Sequence, residues 1–385
     1  MLIIKAIQDL RRVPLRVHVL VGGAVAVLLV ATALLLRWGA SDETLDSIAV
    51  VPFSNASANP NTDYLSDGIT EELIDSLSQF PNLRVMARGT VFRYKGRQDE
   101  PRKVGSDLKV AAVVTGRLIQ RGDIVTVQAD LGRVADGFEI WSEHYNRRMA
   151  DVFGLQQEIA KDISEKLNLR LSGEQQKQFA RPSTESQQAY QLYLEGRYFW
   201  NQRTPESLKK SIKRFEQAVE AEPTYAVAYA GLADAFYVSG GYETAEPKAL
   251  YAQAREAAKK ALQLDDSLAE AHAAMGSVKS LLEWDWAGAD QEFKRAIELN
   301  PGDANAHYFY ACMCLGPTSR LDEAIGEMKK ALNLDPMSLV INTNLARMFF
   351  FPWQLHRAQE LSGKAPGVCP ASRLACRALR AKRDV

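Results

Sequence analysis

One position recurs along the second half of the chain: Pro223, Asp266, Pro301 and Pro336, the last two intervals both 35 residues. Before each stands a stretch with the same ending: Phe215-Glu-Gln-Ala218, Ala258-Lys-Lys-Ala261, Phe293-Lys-Arg-Ala296 and Met328-Lys-Lys-Ala331. After each a second stretch begins, at Ala228, Ala271, Ala306 and Asn342. The unit reads as two short helices with a turn between. One such pair cannot bury its own apolar face, so neighbours must stack into a continuous solenoid. Small residues, among them Gly196, Ala233, Gly276 and Ala311, let paired helices approach closely, and large apolar residues fill the gap. Four repeats and the first helix of a fifth are expected over residues 185–361. At Ser362 the pattern fails. Ser362-Gly-Lys-Ala-Pro-Gly-Val-Cys-Pro370 cannot continue the fifth repeat, so residues 362–385 read as an irregular basic tail on a truncated array.

In its period and its small–large–small–Pro order this region resembles the tetratricopeptide family. The resemblance implies an all-α solenoid whose concave groove, lined by the first helix of each repeat, binds an extended peptide or a helix. Counting positions along those helices gives the groove candidates Tyr190, Tyr193, Arg197, Asp234, Tyr237, Asn305, Tyr308, Thr343 and Arg347. The fifth repeat's lone helix, Val340 to Phe351, would expose Phe349, Phe350 and Phe351. That apolar edge suits self-association through the open end of the array.

The other strong signal is Val17 to Leu36, 20 residues without a charge. At about 1.5 Å of rise per residue it spans the roughly 30 Å core of a bilayer. In lipid its backbone must satisfy itself, which a helix does. Lys5, Arg11, Arg12 and Arg16 precede it, against Asp9; Arg37 and then Asp42, Glu43 and Asp46 follow. That asymmetry keeps residues 1–16, a short basic tail, in the cytoplasm and sends the rest across the membrane. A cleaved signal would have a shorter apolar core, about 7–15 residues, and a small-x-small site; here the run ends in Arg37-Trp38. The expectation is one transmembrane helix in the inner membrane, with residues 37–46 as a linker and the bulk of the chain periplasmic.

Between linker and repeats the texture is mixed. Ser47 to Phe53 is an apolar run ended by Pro52, a buried strand, and Ser54 to Asp63 a loop. Leu65, Ile69, Leu73, Ile74 and Leu77 mark a helix to Phe80, with Asp67, Glu71 and Glu72 matched to its N-terminal dipole. Leu83 to Met86 is a strand and Glu100 to Leu108 a short helix. Val110 to Leu118 and Ile124 to Arg133 form a hairpin about Arg121-Gly122-Asp123, Phe138 to Tyr145 a further strand, and Asp151 to Leu171 a long helix. The order βαβαβββα predicts an α+β domain, a mixed sheet with packed helices, over residues 47–172.

This region resembles the TolB amino-terminal domain and the related FlgO-type domain. The carrying residues are Ile48-Ala-Val-Val-Pro-Phe53, Tyr64-Leu-Ser-Asp-Gly-Ile-Thr-Glu-Glu with Leu73, Leu83-Arg-Val-Met-Ala-Arg88, Val114-Thr-Gly-Arg117, Ile140-Trp-Ser-Glu143 and Phe153, Gln156, Glu158, Ile159, Ala160. The resemblance implies a module outside a membrane helix, ahead of helical repeats. A cytoplasmic winged-helix, kinase or cyclase domain often precedes that helix; the 16 residues here predict none. Residues 173–184 read as a polar linker.

No catalytic constellation stands out. The five histidines, His18, His144, His272, His307 and His356, hold no H-E-x-x-H spacing. His272 and His307 lie 35 apart because the repeat does. No phosphate-binding glycine loop follows a strand. Asp67-Gly68 before Glu71-Glu72 reads as a helix start, and Trp284 and Trp286, flanking Asp285, as packing between two helices. Cys312 and Cys314 stand roughly 200° apart on one helix and cannot bond each other. Lys+Arg and Asp+Glu both total 47, so the zero net charge argues against nucleic acid as a partner. The reading is a non-enzymatic interaction scaffold needing no cofactor or metal, with a protein or peptide in its groove. The alternative is the extracytoplasmic sensor half of a signalling system whose output half is another chain.

Overall fold

The computed structural model describes residues 45–57, 62–97, 99–167, 169, 184, 186–242 and 247–349. The apolar run 17–36, both basic tails and nearly all of both linkers lie outside these residues. Among the described residues no helix is long and apolar enough to cross a membrane.

The first region is a mixed sheet with helices, as expected. Its strands are β1 (Ser47–Val50), β2 (Ser54–Asn55), β3 (Arg84–Val85), β4 (Ala112–Arg121), β5 (Ile124–Arg133) and β6 (Glu139–Arg148). The order is β3-β1-β4-β5-β6, with β2 also pairing to β4. β1 runs parallel to β3 and β4, while β4, β5 and β6 form an antiparallel meander. The parallel strand carries Ile48, Ala49 and Val50, all fully buried; β5 alternates, burying Val125, Val127, Ala129 and Leu131. That contrast is what strands covered on two faces and on one should show. Gly122 turns the β4–β5 hairpin at φ +60°, where a side chain would be strained.

Two stretches differ from the sequence expectation. The loop expected from Ser54 contains β2, parallel to β4 with Ser54 opposite Arg117. Pro52 interrupts the ladder, and the Phe53 N–H turns aside to Thr70 Oγ1 at 3.0 Å. The Phe53 ring lies over Gly116, where a Cβ would come within 2.5 Å of it, and the chain pairs again beyond it. Between β3 and the next predicted helix stand a one-turn helix α2 (Arg88–Val91) and a 3₁₀ turn (Phe92–Tyr94), too short for any period to reveal.

The first long helix, α1 (Asp63–Ser78), begins two residues before Leu65. Asp67, Glu71 and Glu72 therefore lie in its body, and the acidic residue of its first turn is Asp63. α3 (Pro101–Leu108) packs on β4, and α4 (Leu155–Lys166), entered through a 3₁₀ turn, packs on α1.

The array follows as α5 (Gln187–Asn201), α6 (Pro205–Ala221), α7 (Ala226–Tyr242), α8 (Pro247–Leu264), α9 (Ala269–Val278), α10 (Trp286–Leu299), α11 (Ala304–Phe309) and α12 (Leu321–Leu334). They pack in consecutive pairs, and residues 339–349 begin another helix. Ser186, Thr204, Asp285 and Asp303 cap four of these starts with their side chains. The small–large rule holds in detail. Phe215 of α6 fits between Gly196 of α5 and Gly231 of α7, where added Cβ atoms would come within 2.6 and 2.8 Å of its ring. Phe293 stands the same way against Gly276, at 3.0 Å. α9 and α11 each end in a π turn, Lys279–Glu283 and Tyr310–Leu315.

His272 and His307 are repeat equivalents in structure too. Nδ1 of each faces a carboxylate, Glu292 or Glu327, and Nε2 faces a carbonyl, of Asp266 or Pro301. Each ring braces the turn between two repeats. Trp284 departs from its expected packing role: it ends the π turn at φ +59°, which swings its side chain outward, 71% exposed.

One apolar core runs unbroken from Ile48 in the sheet to Val278 in α9. A second, smaller core gathers Phe293, Tyr310, Cys314, Met328 and Ile341.

Candidate functional site

The array curves around the sheet domain and meets it at both ends. At the near end α1 lies against α5. Gly68 permits the approach, since a Cβ there would sit 2.7 Å from Leu194. Glu71, 5% exposed, accepts from Arg88 Nε at 3.0 Å, from Arg197 Nε at 2.9 Å and from Asn201 Nδ2 at 2.7 Å. Burial raises its proton affinity, but Arg197, Arg88 and these hydrogen bonds more than offset that and hold the carboxyl below its ordinary range. Glu72, next in sequence, accepts from the Tyr190 hydroxyl at 2.7 Å. Burial dominates there and pushes it up to about 8, despite the opposing hydrogen bond and Arg197. Asp67 pairs with Lys95 Nζ at 2.7 Å.

At the far end the turn after α12 grips α2. The Ala87 N–H donates to the Leu334 carbonyl at 2.9 Å, Thr90 Oγ1 to Asp335 at 2.6 Å, and Arg93 to the Met337 carbonyl at 2.8 Å. Midway, the Gly302 N–H donates to the Ser78 carbonyl at 3.1 Å. The chain's own α1 and α2 therefore occupy much of the concave face expected to await a partner.

Between these contacts a cavity of about 790 Å³ remains. Its walls include Trp200, Tyr237, Tyr308 and Phe309 from the array and Asp75 and Arg88 from the sheet domain. Tyr237 and Phe309 meet edge to face at 5.5 Å. A smaller pocket of about 50 Å³ shares Asp75, Arg197, Trp200, Asp303 and Phe309 with it, and adds Asp234 and Glu270. Burial first, then mutual repulsion with Glu270 and Asp303, raises the Asp234 carboxyl to about 7, against the pull of Arg197. Asp75, Glu270 and Asp303 are raised as well, chiefly by burial.

The nine groove candidates divide into groups. Tyr237, Asn305 and Tyr308 line the large cavity, and Asp234 and Asn305 the small one. Tyr190 and Arg197 are engaged by α1, so their polar groups face Glu72 and Glu71 of the same chain. Tyr193 is 3% exposed and packs on Phe215 and Tyr225. Thr343 and Arg347 stand exposed on the last described helix, whose Val340 and Ile341 line the large cavity. Counting missed Asp75, Arg88, Trp200, Glu270 and Asp303. The signal for Glu270 was present: it precedes Asn305 by 35 residues, the same register. Nothing in the repeat points to Asp75 or Arg88, which belong to another domain. Among the described residues no group of three or more His, Cys, Asp or Glu is placed to hold a metal ion.

Residues 43–162 match the family model described as HilA/YgeH-like transcriptional regulator, second domain. The chain is 33% identical over 187 residues to "Putative adenylate cyclase 3" of Rhizobium meliloti, covering 48% of this chain and 32% of that protein. It is 28% identical over 145 residues to "Transcriptional regulator HilA" of Salmonella typhimurium, covering 38% and 26%. The chain thus spans a third or less of the length of these relatives. Among solved structures it is similar to the tetratricopeptide protein TTC0263 of Thermus thermophilus, at 18% identity and a TM-score of 0.36 over 52% of this chain and 95% of that one. A second is YrrB, titled a tetratricopeptide protein with an unusual peptide-binding site, at 21% identity and 0.29 over 49% and 91%. Lipoprotein GNA1162 of Neisseria meningitidis aligns at 22% and 0.25 over 33% and 99%. What the structure itself shows of the array is its helix pairs and their small–large contacts.

Proposed function

We propose that the chain is a membrane-anchored interaction scaffold. Residues 17–36 cross the cytoplasmic membrane of a bacterium with the N-terminus inside, and the sheet domain and array stand outside, where the array takes a peptide or protein partner. The observation that carries this reading is the part of the array that the sheet domain leaves uncovered. Asn305 and Tyr308 line the cavity beside the buried Tyr237, and Asn305, Thr343 and Arg347 are exposed. The resemblance of the sheet domain to TolB- and FlgO-type modules supports placement outside the membrane. Leu339, Val340 and Phe349, 75%, 54% and 51% exposed, give the scaffold a surface for self-association. The test is photo-crosslinking in intact cells from residue 308 and from residue 347 of the full chain. A discrete adduct with one protein from either position supports the scaffold; smears no different from those at a distant strand position such as 126 count against it. Protease added to spheroplasts should digest the chain beyond Leu36, and full protection would refute the topology.

The second reading is the outer, sensing half of a transmembrane signalling system. The names of the relatives favour it, one a cyclase and one a transcriptional regulator. Copurification from membranes of a cytoplasmic cyclase, kinase or DNA-binding protein supports it; its absence under crosslinking favours the scaffold.

A further inference from the structure

The smaller pocket gathers more carboxyl groups than the cations beside it pair with. Asp75 of α1, Asp234 of α7, Glu270 of α9 and Asp303 at the start of α11 come together there from four elements. Among the described residues Arg197 is the one guanidinium lining that pocket; it is committed to Glu71 and reaches Asp75 only at 3.9 Å, while Arg203, in the wall of the larger cavity, attracts Asp234 at longer range. Asp303 is partly satisfied by capping α11, accepting from the Asn305 N–H at 2.8 Å. Asp234 and Glu270 make no hydrogen bond or ion pair among the described residues, only the longer-range interactions that shift their proton affinity.

A second feature at the same place is independent of the acids. Trp200 is 6% exposed, and its indole N–H has no acceptor among the described residues. A buried donor left unpaired is costly, so such groups mark a missing partner. Trp200 forms part of the wall of both the large cavity and the acidic pocket beneath it. The cavity volume falls within the range of about 300–1,000 Å³ found for small-molecule sites. The Trp200 ring already carries the Arg203 guanidinium at 3.6 Å and that of Arg197 at 5.1 Å from its centroid, so the carboxylates must supply the attraction for a further cation; in a site drier than water they hold a desolvated cation where an apolar pocket cannot.

We propose that this cavity binds a compound carrying an alkyl-ammonium or guanidinium cation. The cation lies among Asp75, Asp234 and Glu270, its alkyl stem lies against Phe309, and an oxygen of the same compound accepts the Trp200 N–H. A free amino acid or the side chain of a basic peptide supplies this chemistry equally, and both are tested. The proposal does not depend on either the scaffold or the sensor reading.

The experiment is calorimetric titration of the full chain in detergent at pH 8 with two probes, L-arginine and acetyl-Ala-Arg-Ala-amide. Acetyl-Ala-Glu-Ala-amide is the control. Saturable binding of at least one cationic probe is expected. It should weaken at least tenfold in the Asp234→Asn, Glu270→Gln double variant and several-fold in Trp200→Phe, which keeps a ring but loses the donor. Circular dichroism establishes that each variant is folded, and Trp200→Phe decides if the double variant is not. Tighter binding of L-arginine assigns the site to a free amine, and tighter binding of the peptide to a partner's side chain. No saturable binding of either probe, or binding unchanged in the folded variants, overturns the proposal.

Discussion

Phe215 and Phe293 occupy the same position of two repeats, each against a glycine of a neighbouring helix, and each is fully buried. Their surroundings differ. Phe215 belongs to the core that runs on through α5 and α1 into the sheet; Phe293 belongs to the smaller core of the last repeats. The same local pattern is thus embedded in a large cooperative unit at one end and a small one at the other. In a solenoid each repeat leans on its neighbours, so the cost of damage depends on what those neighbours are.

The largest expected effect comes from placing a charge at the small position three residues beyond each phenylalanine. Ala218 and Ala296 are both fully buried. Glutamate at either site is buried without a partner, at a cost of several kcal/mol. Ala218→Glu should unfold sheet domain and array together, whereas Ala296→Glu should melt the last two repeats and leave hydrogen-exchange protection of β4 and β5 intact. Identical protection loss in both variants would break the comparison.

Next come Phe215→Ala and Phe293→Ala, each expected to cost about 3–5 kcal/mol. Phe215 should lie at the upper end because two glycines, on two helices, close over it. Urea unfolding followed by circular dichroism measures the difference, and a greater loss at Phe293 would reverse the ranking of the two cores.

Glu71→Gln tests the seam between the regions. Removing the carboxylate leaves Arg197, whose side chain is 12% exposed, with only Asp75, at 3.9 Å, as counter-charge. Breaking a buried pair from one side costs about 3–5 kcal/mol, and less where a second carboxylate stays near. Small-angle scattering should show the sheet domain and array separating, and an unchanged profile would mean the far contacts at Asp335 suffice.

The pH dependence follows from Glu72 and Asp234. Their folded values, about 8 and about 7, lie above the ordinary 4.5 and 3.8. The folded state therefore holds more protons than the unfolded one across that window, and stability falls as pH rises from about 4 to about 8. Glu71 is shifted the other way, so its contribution is lost only on acidification below its ordinary 4.5. The melting temperature should drop between pH 5.5 and 8.5, and Asp234→Asn with Glu72→Gln should flatten the slope. An unflattened slope would place the titrating groups elsewhere.

The smallest effect is expected at the open end. Leu339→Ser and Phe349→Ser touch exposed positions and should change stability by about 0.5 kcal/mol or less. Sedimentation of the full chain should show reduced self-association, and no change there would leave that edge without a role.

Much of this was legible beforehand. The helix pairs, the turn about Asp285, the glycines under Phe215 and Phe293 and the bracing histidines all follow from a period written in the chain, because each contact lies within one repeat or its neighbour. The β4–β5 hairpin was legible for the same reason. The residues 88–94 were not, since a single turn has no period, and β2 was hidden by Pro52. The groove candidates were half placed: counting found the helices' inner positions but not what faces them. Arg197 meets Glu71 across 126 residues of chain, and Thr90 meets Asp335 across 245. No repeat, propensity or spacing connects such pairs; only the curvature of the array, summed over many helix packings, brings them together. The sequence alone determined that helices would stack with an inner face. The tertiary structure decided that α1 and α2 would fill part of that face and enclose a cavity with four carboxylates at its floor.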